Sequence, residues 1–225
     1  MTPERRERIH SVLSKRQPDL TLVTDHVVKE RNLAAVVRTC DAVGIPTMHS
    51  VTDAEPYRTY RGTSASAQKY VDVKHHSTAV DILRELRGKG YNVVAANLSD
   101  QAIDYREVDY TRPTALLMGA EIEGVSSSAL AFVDTQVVIP MMGMVESFNV
   151  SVAAAVILSE AQRQRQVAGM YDRVQLAEDD YKSLFFRWAY PRFAEYCDQN
   201  GLAYPELDEN DDLIPGVHPE LLGSE

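Results

Sequence analysis

The chain has 225 residues, 44% of them hydrophobic and 25% charged, which is the composition of a folded globular protein and not of a disordered one. Its longest uninterrupted apolar run, Val152–Leu158, is far short of a membrane span, and the opening MTPERRERIH is charged where a signal peptide turns apolar. Cys40 and Cys197 stand far apart with no CxxC or Cys/His cluster, which excludes a disulfide framework or a zinc site and fits a reducing cytoplasm.

The net charge of −10 argues at first against a polyanionic partner, but it is unevenly spread. From Tyr171 to Glu225 there are 4 basic and 13 acidic residues, whereas the first 170 residues hold 19 basic and 20 acidic ones. The first sixteen residues set Arg5, Arg6, Arg8, Lys15 and Arg16 against Glu4 and Glu7. Such a basic helix face suits phosphate contacts as well as plain solvation.

In chain order, Thr2 as N-cap and Pro3 at the first helical position open a helix with Ile9, Val12 and Leu13 at helical spacing. LTLVT then reads as a buried strand. Residues 32–43 predict a helix burying Leu33, Val36, Val37, Cys40 and Val43, closed by Gly44. TMHSV is a strand, and a helix led by Ser77 turns Val80, Leu83 and Leu86 inward. YNVVAANL and PTALLMG are strands, SSSALAFV a short helix, QVVIP a strand, and residues 151–166 a long alanine-rich helix. A helical pattern over 179–199 is interrupted at Pro191. His75 and His76 read as surface residues. Strands alternating with helices predict an α/β domain with a parallel sheet, whose ligand loops follow Leu98, Met118 and Ile139.

Three stretches carry candidate chemistry. NLAAVVRTCDAVG holds Asn32, which would otherwise cap the helix, and Arg38, which would otherwise pair with Asp41 on the surface. LLMGAEIEGVS approaches a phosphate-binding loop between Gly119 and Ser126, yet position 125 is Val where the lysine belongs, and Glu121 and Glu123 would repel phosphate. ATP and GTP are therefore disfavoured, and with no GxGxxG in the chain so is a nicotinamide enzyme. IPMMGMVESFNVSVAAAVILSE places Ser147, Asn149 and Ser151 before a helix, any of them a possible N-cap. Its alanine run suits close packing against another element or a partner subunit.

Together these stretches resemble the three motifs of the SPOUT RNA methyltransferases, and more narrowly the TrmH subfamily of tRNA guanosine 2′-O-methyltransferases. The likeness covers about Met1 to Tyr171 and includes KRQPDL, DYTRPT and EAQRQRQ with the following AGMY. It implies an α/β parallel-sheet domain at 19–168 with a deep C-terminal trefoil knot, flanked by an N-terminal basic helix (1–18) and a C-terminal acidic helical extension (169–225). It also implies a homodimer, tRNA as partner, and S-adenosylmethionine as methyl donor with no metal. The acceptor implied is a ribose 2′-hydroxyl of the D-loop guanosine at position 18. By this resemblance Arg38 is catalytic, supported by Asn32, Glu121, Ser147 and Asn149. The donor would bind through the backbone of the loops around Ala96, Gly119, Ile139, Met144 and Phe148, and Arg5, Arg8, Lys15 and Arg16 would meet RNA. Related activity on ribosomal RNA, or a non-catalytic RNA-binding dimer, are the rival expectations.

Overall fold

A computed structural model of the chain describes residues 1–52, 67–121 and 123–214. It contains strands β1 (Leu20–Asp25), β2 (Thr47–Val51), β3 (Asp72–His76), β4 (Asn92–Ala96), β5 (Ile103–Asp104), β6 (Thr114–Met118) and β7 (Thr135–Val138). The helices are α1 (Pro3–Leu13), α2 (Glu30–Ala42), α3 (Ala79–Gly88), α4 (Ser127–Leu130), α5 (Val150–Val167), α6 (Glu178–Ala189) and α7 (Pro191–Asn200). Two compact units result: one is Gln17–Arg173, the other joins Met1–Arg16 to Val174–Glu225.

The larger unit is a single parallel sheet in the order β3-β2-β1-β6-β4-β7-β5. Its central strands read as unbroken apolar runs because both faces are covered. On one face Leu20, Leu22, Val94, Leu116 and Val137 meet Leu33, Val36, Val37 and Cys40 of α2 and Ala154, Ile157, Leu158 and Ala161 of α5. On the other, Val23, Val93, Ala95, Ala115 and Leu117 meet Ala79, Ile82, Leu83 and Leu86 of α3 and Ala129 of α4. The alternation of Leu116 with Leu117 across β6 is the period-two signature of a strand between two layers.

Local chemistry sets the boundaries. Helix α2 ends in a glycine turn: Gly44 has φ +86°, and Ile45 N–H reaches back to the Cys40 carbonyl at 2.9 Å. Helix α3 is capped by the Thr78 hydroxyl and turns Ile82 inward with Leu83 and Leu86, so Val80, predicted inward, is only half-buried. Arg165 of α5 is fully buried, and its guanidinium donates to the carbonyl oxygens of Tyr110 (2.9 Å) and Arg112 (3.1 Å) and to Asp19 Oδ1 (2.5 Å). A buried charge with this many partners locks the C-terminal half of α5 onto the chain entering β1.

Strand β3 is absent from the sequence reading. It carries DVKHH at the sheet edge with only partial burial, so it shows no apolar alternation. His76, read as surface decoration, sits within it and shares a hydrogen bond between its Nε2 and His49 Nδ1 (2.9 Å). Burial, then the neighbouring His76, pushes the His49 imidazole down to about 4. The unfolded chain therefore takes a proton near pH 6.5 that the folded chain refuses until about 4, so stability falls as pH drops through that window. Urea titrations at pH 7 and 4.5 should show His49→Gln losing up to about 3 kcal/mol less than wild type between the two pH values.

In the smaller unit, α1 begins as expected, with the Thr2 hydroxyl accepting from Arg5 N–H (3.3 Å) and Pro3 in the first turn. The terminal segments were expected as separate extensions; the structure unites them, burying Ile9 and Leu13 together with Phe185, Phe186 and Trp188. His10 of α1 stacks on Phe185 and hydrogen-bonds the Tyr181 hydroxyl (2.8 Å) and Asp211 (2.9 Å).

Candidate functional site

The sheet aims its strand ends at one place. Beyond the carboxyl ends of β4, β6 and β7 lies a cavity of about 590 Å³, where α/β sheets bind ligands. Ala96, Gly119, Ile139 and Phe148 line it, with Ser147 and Asn149. Met144 is not part of the described lining, and its side chain is wholly exposed on the loop before α5. Asn97, which the sequence reading passed over, also lines the cavity, and its amide donates to Gln136 Oε1 at 2.8 Å.

Gly119 owes its place to backbone packing. The chain leaves β6, turns, and returns so that Ala120 and Gly124 exchange N–H···O bonds of 3.0 Å each way. A Cβ at Gly119 would lie 2.2 Å from the Gly124 carbonyl carbon. The phosphate-loop look of this stretch is thus a tight return that carries Glu121 at its tip.

Glu121 gathers the other motifs. Its Oε1 accepts from Asn32 Nδ2 (2.5 Å) and Asn149 Nδ2 (2.8 Å), while Oε2 accepts from the Lys29 ammonium. Asn32 is the third residue of α2 and buried, so it does not cap the helix; its amide serves the carboxylate instead. Asn149 does both jobs: Oδ1 caps α5 by accepting from Ser151 N–H (3.0 Å), and Nδ2 reaches Glu121. Its Nδ2 also lies 3.4 Å from Asn32 Oδ1. All three motifs thus converge on one carboxylate.

Lys29 was missed because a lysine before a helix reads as a solvated one. The Lys29 contact first, then the Asn32 amide, holds the Glu121 carboxyl below the usual carboxylate range. If Glu121 serves catalysis, Lys29→Met should lower the chain's turnover about tenfold and move the acid limb of its pH–rate profile upward, toward an ordinary carboxyl near 4.3. An unmoved acid limb would show that Lys29 does not act through Glu121.

Arg38 is exposed on α2, about 9 Å along the axis from Asn32. The Asp41 pair considered from sequence does not form; Arg38 has no hydrogen bond or ion pair among the described residues. Arg31, Ala35 and Ala42 share its exposed face. Ser147 is exposed at the cavity edge. In the smaller unit, Arg8 and Lys15 are exposed, and Arg5 donates to the Trp188 carbonyl (2.7 Å). Arg16 is fully buried, its guanidinium 5.0 Å from the centre of the Trp188 ring, so it is not placed to meet RNA.

The family model of the SpoU rRNA methylase family matches residues 19–159, and that of the SpoU rRNA methylase C-terminal region matches residues 163–214. The chain belongs to the SpoU methylase family. It is 45% identical, over 95% of its length and 94% of the relative's, to the tRNA (guanosine(18)-2′-O)-methyltransferase of Escherichia coli K12. It superposes with a TM-score of 0.79 on the TrmH/SpoU tRNA modifying enzyme of A. aeolicus, at 40% identity over 84% of this chain and 96% of that one. An AdoMet-bound rRNA methyltransferase from Sinorhizobium meliloti matches with a TM-score of 0.55 at 27% identity, over 67% of this chain and 58% of that one.

A sulfonium donor such as AdoMet fits the strand-end cavity of this SpoU chain. The described lining offers apolar walls from Ala96, Val137, Ile139 and Ile157, the carboxylates of Glu121, Glu123 and Glu146, and no Lys or Arg of its own. That balance suits a ligand carrying a sulfonium and an ammonium.

Proposed function

We propose that this chain transfers a methyl group from S-adenosylmethionine to the ribose 2′-hydroxyl of the guanosine at position 18 of tRNA, as a cytoplasmic homodimer. The observation that carries this reading is the Glu121 carboxylate, which ties Asn32 of the first motif to Asn149 of the third beside the strand-end cavity. The likeness to the E. coli enzyme along nearly the whole chain supports the substrate.

The donor supplies, when bound, an electrophilic methyl on a sulfonium, so the protein's task is orientation and proton removal. Ala96, Gly119, Ile139 and Phe148 line the donor cavity. The Glu121 network fixes the tip of its loop against α2 and the start of α5, holding both walls in register. A ribose hydroxyl must lose its proton as the new bond forms. Arg38 grips the adjoining RNA phosphate with its planar guanidinium and polarises the hydroxyl, whose proton passes to phosphate oxygen or water.

A trefoil knot accounts for β7 pairing between β4 and β5, two strands laid down before it. A second subunit accounts for the exposed Met142, Met144, Val145 and Val152 around the start of α5, which it would cover. Arg8 and Lys15 would contribute phosphate contacts.

Incubating the enzyme with methyl-labelled S-adenosylmethionine and unmodified tRNA, then digesting to nucleosides, should yield labelled 2′-O-methylguanosine. Label entering ribosomal RNA while tRNA stays blank would refute the substrate and keep the reaction.

A further inference from the structure

A second cavity, of about 540 Å³, opens on the far side of the Glu121 loop. The two cavities share the wall Ala120, Glu121, Glu123 and Gly124; Asn149 lines only the first and Asn32 only the second. Methyl transfer needs the acceptor oxygen about 3–3.5 Å from the methyl, so an acceptor must approach this same wall. A nucleotide inside a folded RNA reaches such a pocket by turning out of its stack.

The lining says which base fits. Val27 and Val28 give apolar surface for a ring face, and Lys29 a cation at the rim. Three carboxylates face the space. Asp25 is buried, with Oδ1 taken by His26 Nδ1 (2.7 Å) and Oδ2 by the Ser126 N–H (2.9 Å). Both Glu121 oxygens are engaged. Glu123 is exposed and has no hydrogen bond or ion pair among the described residues. A carboxylate accepts from the N1–H of guanine and its adjacent 2-amino group, whereas adenine presents a lone pair at N1 and is repelled.

We propose that this second cavity takes the target guanine, turned out of the RNA, with Glu123 accepting from its Watson–Crick edge. The assignment rests on the reading of the first cavity as the donor site of a guanosine methyltransferase. Glu123 is then the specificity-determining residue, distinct from the Glu121 network beside it.

The test compares single-turnover methylation of tRNA transcripts carrying guanosine or adenosine at position 18, with donor affinity measured in parallel, for wild type and Glu123→Ala. A bidentate base contact of about 1–3 kcal/mol makes the guanosine rate fall ten- to a hundredfold. The adenosine rate rises at least tenfold as the repulsion is removed, and donor affinity holds. Guanosine and adenosine rates that fall together, or a variant that still refuses adenosine, overturn the assignment. Weaker donor binding with unchanged base preference overturns it too and moves Glu123 to the first cavity. If wild type leaves the guanosine transcript unmethylated while binding donor, the failure lies in the underlying functional reading.

Discussion

Replacing Arg38 by alanine should lower the single-turnover rate of methyl transfer about a thousandfold, with donor affinity and thermal stability unchanged. The stability half follows from its surroundings. Arg38 is exposed, has no partner among the described residues, and lies on the face of α2 opposite Leu33, Val36 and Val37, so truncation opens no cavity and orphans no charge. The rate half follows from chemistry. Removing one positioned donor from a site where negative charge develops costs about 10²–10³ in rate, and Arg38 would also hold the neighbouring phosphate. Arg38→Lys keeps the charge but loses the planar fork, and should recover only part of the rate. A full rate in Arg38→Ala would remove Arg38 from the mechanism.

Gly119→Ala should be as damaging by an entirely different route. The added Cβ would lie 2.2 Å from the Gly124 carbonyl carbon and 2.3 Å from the Val125 nitrogen, and both are backbone atoms that cannot rotate away. The return of the loop must then open, breaking the paired Ala120–Gly124 hydrogen bonds and carrying Glu121 away from Asn32 and Asn149. Overpacking of this kind costs about 1–3 kcal/mol, which lowers the melting temperature by several degrees in a chain of this size. Displacing catalytic groups by about 1 Å is worth roughly a hundredfold in rate, so transfer should fall at least that far. Gly143→Ala is the control: nothing lies within 4 Å of a Cβ there, and stability should stay as in wild type. Calorimetry and single-turnover kinetics on both variants separate the effects.

The contrast between these two residues shows what the sequence could disclose. Gly119 stood out as a glycine after a strand, yet no one-dimensional pattern tells that backbone returns against it; the clash exists only once Ala120 and Gly124 pair. Helix α2 was legible because a 3.6-residue apolar period and a left-handed Gly44 are local signals. Strand β3 was not, because the edge residues Asp72 to His76 are too polar and too exposed to alternate. Chain-distant convergence was equally hidden. Asn32, Glu121 and Asn149 were linked by resemblance, but Lys29 had no signal of its own until its ammonium met Glu121. Arg16 misled in the opposite sense: a basic residue near a terminus reads as a phosphate contact, while here its guanidinium lies over Trp188 from the other end of the chain. The Met144 side chain is wholly exposed, which was hidden for a similar reason, since a methionine-rich loop does not reveal which side chains turn inward.

The most direct test of the central claim changes a single atom of the RNA. Two transcripts are prepared, identical except that residue 18 carries guanosine in one and 2′-deoxyguanosine in the other, and each is incubated with labelled S-adenosylmethionine. Transfer to the ribose hydroxyl requires one methyl per molecule on the first transcript and none on the second. Equal labelling of both would place the methyl elsewhere and contradict the account of this site.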